Sequence, residues 1–564
     1  MVSYSGKTSS AAVISLLITL QYVLNLVMLT GSHHCVPVSH SSSDISTNQI
    51  KRSGVVRSFF YLRTVMRRFA FVLLLAASMV CQAESTVIKV SMDNAIQTNG
   101  GRWEGWGTSL CWWANRIGYN ETLTAKSADL FFDASKGLGL NIMRYNVGGG
   151  DDPTHHHITR TDSDVPGWMI IDPATGERKY DYTADARQLN VVKAAMKAAG
   201  QDAYLEIFSN SPPYFMTNSG CSTGNFKAEE NNIRDDEYDD FAEYMAHVAN
   251  YMTREMKLKV RSVSPMNEPN TNYWPAMNYK QEGCHIDAGE SQSKLLVLTK
   301  EALQRYGLND IVLTTSDETN PGKQIEEIQT LTPDARAAIN RISVHTYGTN
   351  SIREMGQLAK DEKINIWMSE VDGNGTAGQN AGEMAAGLWL AEKIINDIEA
   401  LEPSAWVLWQ VIDTHISKEG YQGRRDGGPL RTAGGYWGTA CANHDTGEIL
   451  LTQKYYAFGQ FSRYIRPGST LILCPTDRRS GTKVLAAVSK KQLTIVCTNT
   501  TNQEKPITFD LSEFKVKGSV KQIRTSGQFQ DGEHWAESDL GKIKNKKLET
   551  VLAPNSVTTF VISL

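Results

Sequence analysis

The chain has almost no surplus of charge. Its 57 lysines and arginines stand against 61 aspartates and glutamates in 564 residues, a formal net charge of −4. That excludes the strongly basic surface by which proteins hold nucleic acid. Cysteine is scarce as well, with eight residues, none paired as Cys-x-x-Cys or in another metal-ligand spacing. A metal site is therefore not expected. His155-His156-His157 imitates a metal tract, but a loop facing substrate or solvent is its expected role. With 41% hydrophobic and 21% charged residues, the remaining composition is that of an ordinary globular protein.

Two apolar segments open the chain. Ser10–Gly31 contains an uncharged apolar run, followed by the Ser-rich stretch Ser39–Asn48. Met66-Arg67-Arg68 then precedes apolar Phe69–Val80 and Cys81-Gln82-Ala83. A basic start, a short apolar middle and Ala at the cleavage edge make residues 66–83 a secretory signal, with a mature chain beginning near Glu84. Translation is expected to start at Met66, which makes residues 1–65 a non-native upstream extension. The alternative is a membrane anchor at Ser10–Thr30, the only membrane contact expected. The protein is thus read as secreted, periplasmic or held at the cell surface.

Residues 101–460 alternate β-type runs with helical ones, the pattern of a parallel α/β fold. Candidate strands are Gly105–Leu110, Ile142–Tyr145, Tyr204–Phe208, Ser262–Pro265, Ile311–Thr315, Arg341–Val344, Ile366–Ser369 and Ala405–Trp409. Eight such strands match a (β/α)8 TIM barrel. Between them Tyr238, Phe241, Met245, Val248 and Met252 recur at helical spacing, and Leu189–Ala199 and Ser291–Tyr306 stop at Gly200 and Gly307. Residues 461–564 change texture, with short alternating strands at Thr470–Leu473, Lys483–Val488, Leu493–Thr498, Ile507–Phe509 and Val551–Ile562. An antiparallel β-sandwich is expected there. Residues 84–100 carry the strand-like Thr86–Met92, expected to join the sandwich and make that side domain discontinuous. Export permits disulfides, and Cys221 and Cys284, in loops after strands on one barrel face, are expected to bridge.

Two motifs carry chemistry. Ser264-Pro265-Met266-Asn267-Glu268-Pro269 and Ile366-Trp367-Met368-Ser369-Glu370-Val371 each run from an apolar, β-prone lead-in to a carboxylate. The glutamates end candidate strands four and seven, which lie across a barrel from each other. Cleaving a glycosidic bond needs one protonated carboxyl to serve the leaving oxygen and one ionised carboxyl to attack the anomeric carbon. Asn267 is placed to bond a sugar 2-hydroxyl. Beside His345, Tyr347 is placed to hold the nucleophile's oxygen, and Arg144 to keep Glu370 ionised. Trp409, ending the eighth strand, offers an indole floor for a sugar.

These residues resemble the clan of (β/α)8 retaining glycosidases with glutamates on strands four and seven, and within it glycoside hydrolase family 30. The matching motifs are Gly105-Trp106-Gly107-Thr108-Ser109-Leu110, Arg144-Tyr145-Asn146-Val147-Gly148-Gly149 and Ser209-Asn210-Ser211-Pro212-Pro213. More narrowly, Leu110-Cys111-Trp112-Trp113-Ala114, Thr271-Asn272-Tyr273-Trp274 and Gln281-Glu282-Gly283-Cys284 look like the endo-β-1,6-galactanase branch. The resemblance implies Glu268 as acid/base, Glu370 as nucleophile, retention of configuration, no cofactor, and a polysaccharide or oligosaccharide as substrate. The substrate it implies is β-1,6-galactan of arabinogalactan side chains. β-1,6-Glucanases and exo-acting β-glycosidases of the xylosidase and glucosylceramidase kinds share the plan, and a catalytically inactive glycan-binding protein is the reading from another class. The loop Gly149–Gly167, with Asp151 and Asp152, is expected to shape the minus subsites, and the choice of sugar is expected to rest around Trp112, Asp151 and Trp274.

Overall fold

A computed structural model describes residues 85–372 except 155 and 161, together with 383–420 and 437–564. The signal and anchor expected within residues 1–84, and His155, lie outside the described residues. Eight parallel strands close into a barrel: Gly105–Ser109, Ile142–Asn146, Tyr204–Phe208, Val260–Ser264, Val312–Glu318, Arg341–His345, Asn365–Glu370 and Ala405–Gln410. They are the eight expected strands, in order. Barrel filling inside and helices outside cover both faces of strands one, two, three and eight, so these read as continuous buried runs.

The helical layer follows its sequence pattern. Tyr238–Arg254 buries Phe241, Met245, Val248 and Met252 on its inward face. Ala186–Ala199 ends at Gly200, whose φ of 73° a side-chain-bearing residue seldom adopts. Strand register brings the chemistry together. Arg144 stands beside Glu206 on strands two and three, and His345 beside Glu370 on strands six and seven. Among the described residues, no helix is long and apolar enough to cross a membrane.

The side domain stacks two sheets. One has six strands, ordered Thr470–Leu473, Thr482–Val488, Gln492–Asn499, Ser556–Ser563, Lys517–Ser526 and Glu533–Lys542. The other pairs Thr86–Lys89 with Lys505–Asp510 and that strand with Lys547–Leu552. Ile88 from the N-terminal strand packs into the sandwich core with Phe509 and Phe560. The domain is thus built from both ends of the described chain.

The N-terminal strand joins the sandwich as expected, pairing parallel with Ile88 opposite Phe509. Two expectations need correction. The expected strand Val551–Ile562 is two strands, Lys547–Leu552 and Ser556–Ser563. Between them Pro554 has no N–H to give a ladder and Asn555 turns at φ 45°, which sends the second strand to the other sheet. Cys221 and Cys284 do not bridge. Both thiols are free and buried, with Cys221 Sγ 3.7 Å from Met277 Sδ and Cys284 Sγ 3.6 Å from the His285 carbonyl. Their neighbours aim the two sulfurs into separate surroundings. The outer hairpin Lys517–Ser526 and Glu533–Lys542 escapes the sequence pattern because seven of the ten residues of its second strand are exposed and none is buried, leaving no apolar alternation to read.

Candidate active site

The C-terminal ends of the strands meet at a cleft of about 540 Å³, lined among others by Trp112, Asn267, Glu268, Tyr347, Glu370 and Trp409. Glu370 is the last residue of strand seven. Glu268 lies beyond the end of strand four in a left-handed backbone conformation, φ 49°. Three bonds brace that turn. The Glu268 N–H donates to the Asp317 carbonyl at 2.9 Å, while Thr271 Oγ1 at 2.9 Å and Trp274 Nε1 at 3.4 Å donate to its own carbonyl. Trp274 in turn lies flat on Gly283, where a Cβ would meet the indole at 2.2 Å.

His345, at the tip of strand six, stands between the two carboxyl groups. Its Nδ1 is 3.0 Å from Glu268 Oε1 and 3.6 Å from Glu370 Oε1. One oxygen of each glutamate and a ring nitrogen of His345 lie within 4.8 Å of one another. Burial by itself would lower the His345 pKa, but Glu370, Asp317 and Glu268 outweigh it and push it up to about 10.

Glu370 has partners on both oxygens. Tyr347 Oη donates to Oε1 at 2.9 Å and Arg144 Nη1 to Oε2 at 2.8 Å. Burial raises the Glu370 carboxyl above the ordinary carboxylate range, with His345 and Arg144 pulling against it and Glu268 adding to it. Among the described residues, no guanidinium bonds Glu268. Tyr273 Oη donates to its Oε2 at 2.5 Å and His345 serves its Oε1. The two carboxyl groups therefore sit in different settings.

Beneath them runs a buried charge network. Arg144 also reaches Glu206 at 3.1 Å, Asp317 at 3.3 Å and Asn267 Oδ1 at 3.3 Å, with its guanidinium 4.1 Å from the Phe208 ring centroid. Asp317, on strand five, accepts at 2.5 Å from both Ser264 Oγ and Ser369 Oγ, tying strands four and seven through their hydroxyls. The Arg144 guanidinium and His345 hold the Asp317 carboxyl well below the usual carboxylate range against the effect of burial.

Most sequence-expected residues converge here. Trp112 and Trp409 meet edge to face at 5.1 Å and form one wall of the cleft. Trp274 lines it while bracing Glu268. Arg144 and His345 are buried below the floor rather than facing the opening, where they contact the glutamates from beneath. Asp151 is the exception: its carboxylate is bound within its own loop by His157 Nδ1 at 3.0 Å and the Ile158 N–H at 3.3 Å, and it does not line the cleft. Sequence reasoning missed Tyr273, Asp317, Arg160, Lys280 and Asp372. Asp317-Glu318 is an acidic pair at the tip of strand five, a signal lost by ending that strand at Thr315. Tyr273 stands in the Asn-Tyr-Trp stretch just after Asn-Glu-Pro, where only tertiary folding turns its hydroxyl back onto Glu268.

Residues 85–421 match the family model described as O-glycosyl hydrolase family 30. Over 491 residues the chain is 28% identical to an endo-β-1,6-galactanase of Hypocrea rufa, covering 83% of this chain and 93% of that protein. It is 26% identical over 450 residues to an exo-β-1,6-galactobiohydrolase of Bifidobacterium longum subsp. longum, covering 63% of this chain and 29% of that one. Its fold is similar to the catalytic domain of GH30 xylanase C from Talaromyces cellulolyticus, with a TM-score of 0.62 at 18% identity over 85% of this chain and all of that domain.

Proposed function

The chain belongs to O-glycosyl hydrolase family 30 and is a glycoside hydrolase, and from that membership we propose that it cuts β-1,6-galactan by double displacement, with Glu370 as nucleophile and Glu268 as acid/base. The observation that carries this is the Glu268–His345–Glu370 group, with carboxyl oxygens within 4.8 Å. A retaining enzyme needs its two carboxyl groups about 5–5.5 Å apart, whereas an inverting one needs room for a water between them.

In the first step a Glu370 oxygen bonds to the anomeric carbon as the glycosidic C–O bond breaks and Glu268 gives its proton to the departing oxygen. In the second, Glu268 takes a proton from water, the water oxygen bonds to the anomeric carbon and Glu370 is released. Negative charge thus moves from Glu370 to Glu268 and back. His345 Nδ1 stands close enough to both to follow it, and Arg144 and Tyr347 hold Glu370 for attack. With its Oδ1 accepting from Arg144, Asn267 has its amide N–H2 left to donate to a sugar 2-hydroxyl. Trp112 and Trp409 supply the apolar wall a pyranose face needs.

β-1,6-Galactan as substrate is supported by the Hypocrea rufa relative, which aligns over nearly its whole length. Export through residues 66–83 belongs to the same reading, and N-terminal sequencing of the secreted protein should begin near Glu84. Glu370→Gln is expected to abolish hydrolysis of β-1,6-galactan with the fold intact, and residual activity within tenfold of wild type sinks the nucleophile assignment. Glu268→Ala should lose about a hundred- to ten-thousand-fold on the polymer. Linear β-1,6-galactan, β-1,6-glucan and xylan offered together, with product sizes measured, test the sugar and endo action. Hydrolysis of the glucan alone overturns the galactan reading, and affinity without turnover on all three points to a glycan-binding protein.

A further inference from the structure

Away from the cleft, a crevice of about 580 Å³ opens between the barrel helix Met384–Leu401 and loops of the sandwich, matching in size the catalytic cleft at about 540 Å³. Leu388 and Trp389 form its floor and Glu392 stands one helical turn further along. Trp389 packs part of its ring on the core and leaves the rest open. Thr500, Gln528 and Asn555, from three different sandwich loops, make the facing wall. Among the described residues, the side-chain amides of Gln528 and Asn555 have no hydrogen-bond partner, so the wall faces the crevice with open donors and acceptors.

We propose that this crevice is a second saccharide-binding site, which holds a further stretch of the polysaccharide that the cleft cuts. A pyranose ring has an apolar C–H face and a rim of hydroxyls. An open indole takes the face, and planar carboxylate and amide groups around it take the rim. The mixture of one aromatic, two carboxylates (Glu383 and Glu392) and two amides fits the face and hydroxyl rim of a sugar better than an apolar helix or an anion. Position favours the same occupant. Met384–Leu401 follows strand seven, so its first half, which bears Trp389 and Glu392, lies at the barrel end that carries the cleft. One long chain can then meet both sites, and the second adds to retention without touching chemistry.

The proposal rests on the β-1,6-galactan reading, and the experiment separates the two. Trp389→Ala and the double variant Gln528→Ala/Asn555→Ala are compared with wild type on long linear β-1,6-galactan and on an aryl β-galactoside too short to reach the crevice. On the polymer, KM should rise by about threefold to tenfold with kcat held, while kcat/KM on the aryl glycoside stays within about twofold. Trp389→Tyr, which keeps a stacking face, should restore most of the polymer KM. An unchanged polymer KM in both variants overturns the site, as does an equal loss on both substrates, which marks the crevice as a structural seam. Should Trp389→Ala not fold, the exposed double variant decides alone. Wild type that leaves galactan uncut fails the functional reading instead.

Discussion

His345 is the residue whose chemistry is most altered by its surroundings. Held at a pKa of about 10 between carboxylates, it is a fixed cation where a free histidine would be mostly neutral. Its removal should make Glu370, already raised by burial, harder still to ionise. The acid limb of kcat/KM against pH is therefore expected to move to higher pH in His345→Asn, and a limb that stays put or moves down contradicts the charge assignment. The same group links stability to pH. Between about 6.5 and about 10 the folded state keeps the proton and the unfolded state does not, so its contribution is full below 6.5 and is lost as pH rises through about 10. Denaturant titrations across that window should show a shallower fall in the variant than in wild type. Tyr273 offers a second test at this scale. Its 2.5 Å bond to Glu268 is to a charged group, worth about 1.5–3 kcal/mol. Tyr273→Phe should lower kcat on galactan by about ten- to a hundredfold, and a kcat within twofold of wild type would remove Tyr273 from the chemistry.

At the scale of elements, the site is a set of strand tips held at fixed offsets. Parallel register alone sets Arg144 against Glu206 and His345 against Glu370, and Asp317 then clamps strands four and seven through Ser264 and Ser369. The loop after strand four is held differently, by Trp274 lying on Gly283. A methyl group at Gly283 must move either the indole or the backbone, and the indole is buried. Gly283→Ala is thus expected to cost both stability, by about 1–3 kcal/mol for an overpacked contact, and activity, through the displaced Glu268 carbonyl. Chemical denaturation and kcat on galactan check the two together. Normal activity in a destabilised variant would show that the indole does not brace Glu268.

For the whole molecule, the barrel and sandwich share the helix Gln453–Ser462. Its Phe458 and Phe461 rings lie 6.0 Å from Trp106 of barrel strand one, and the Tyr456 carbonyl accepts from Trp535 of the sandwich at 2.7 Å. Nine of its ten residues are buried. With one helix serving both cores, calorimetry of the mature chain should give a single unfolding transition. Two resolved transitions would show that the sandwich folds on its own. The sequence by itself determined the eight strands, their order and the two glutamates at their tips, because a strand covered on both faces is a run of apolar residues and a carboxylate ending such a run stands out. It likewise marked Arg144, Tyr347 and Trp409 as strand-end neighbours of those glutamates. Only the tertiary structure decided that Asp151 is spent on His157, that Cys221 and Cys284 stay apart, and that Tyr273 and Asp317 reach the glutamates. Asp317 meets Ser264 and Ser369 across 53 and 52 residues of sequence. Even the short-range contacts of Asp151 and Tyr273 depend on how a loop is packed, as Trp274 on Gly283 packs the loop after strand four, and not on any local preference of the residues it carries.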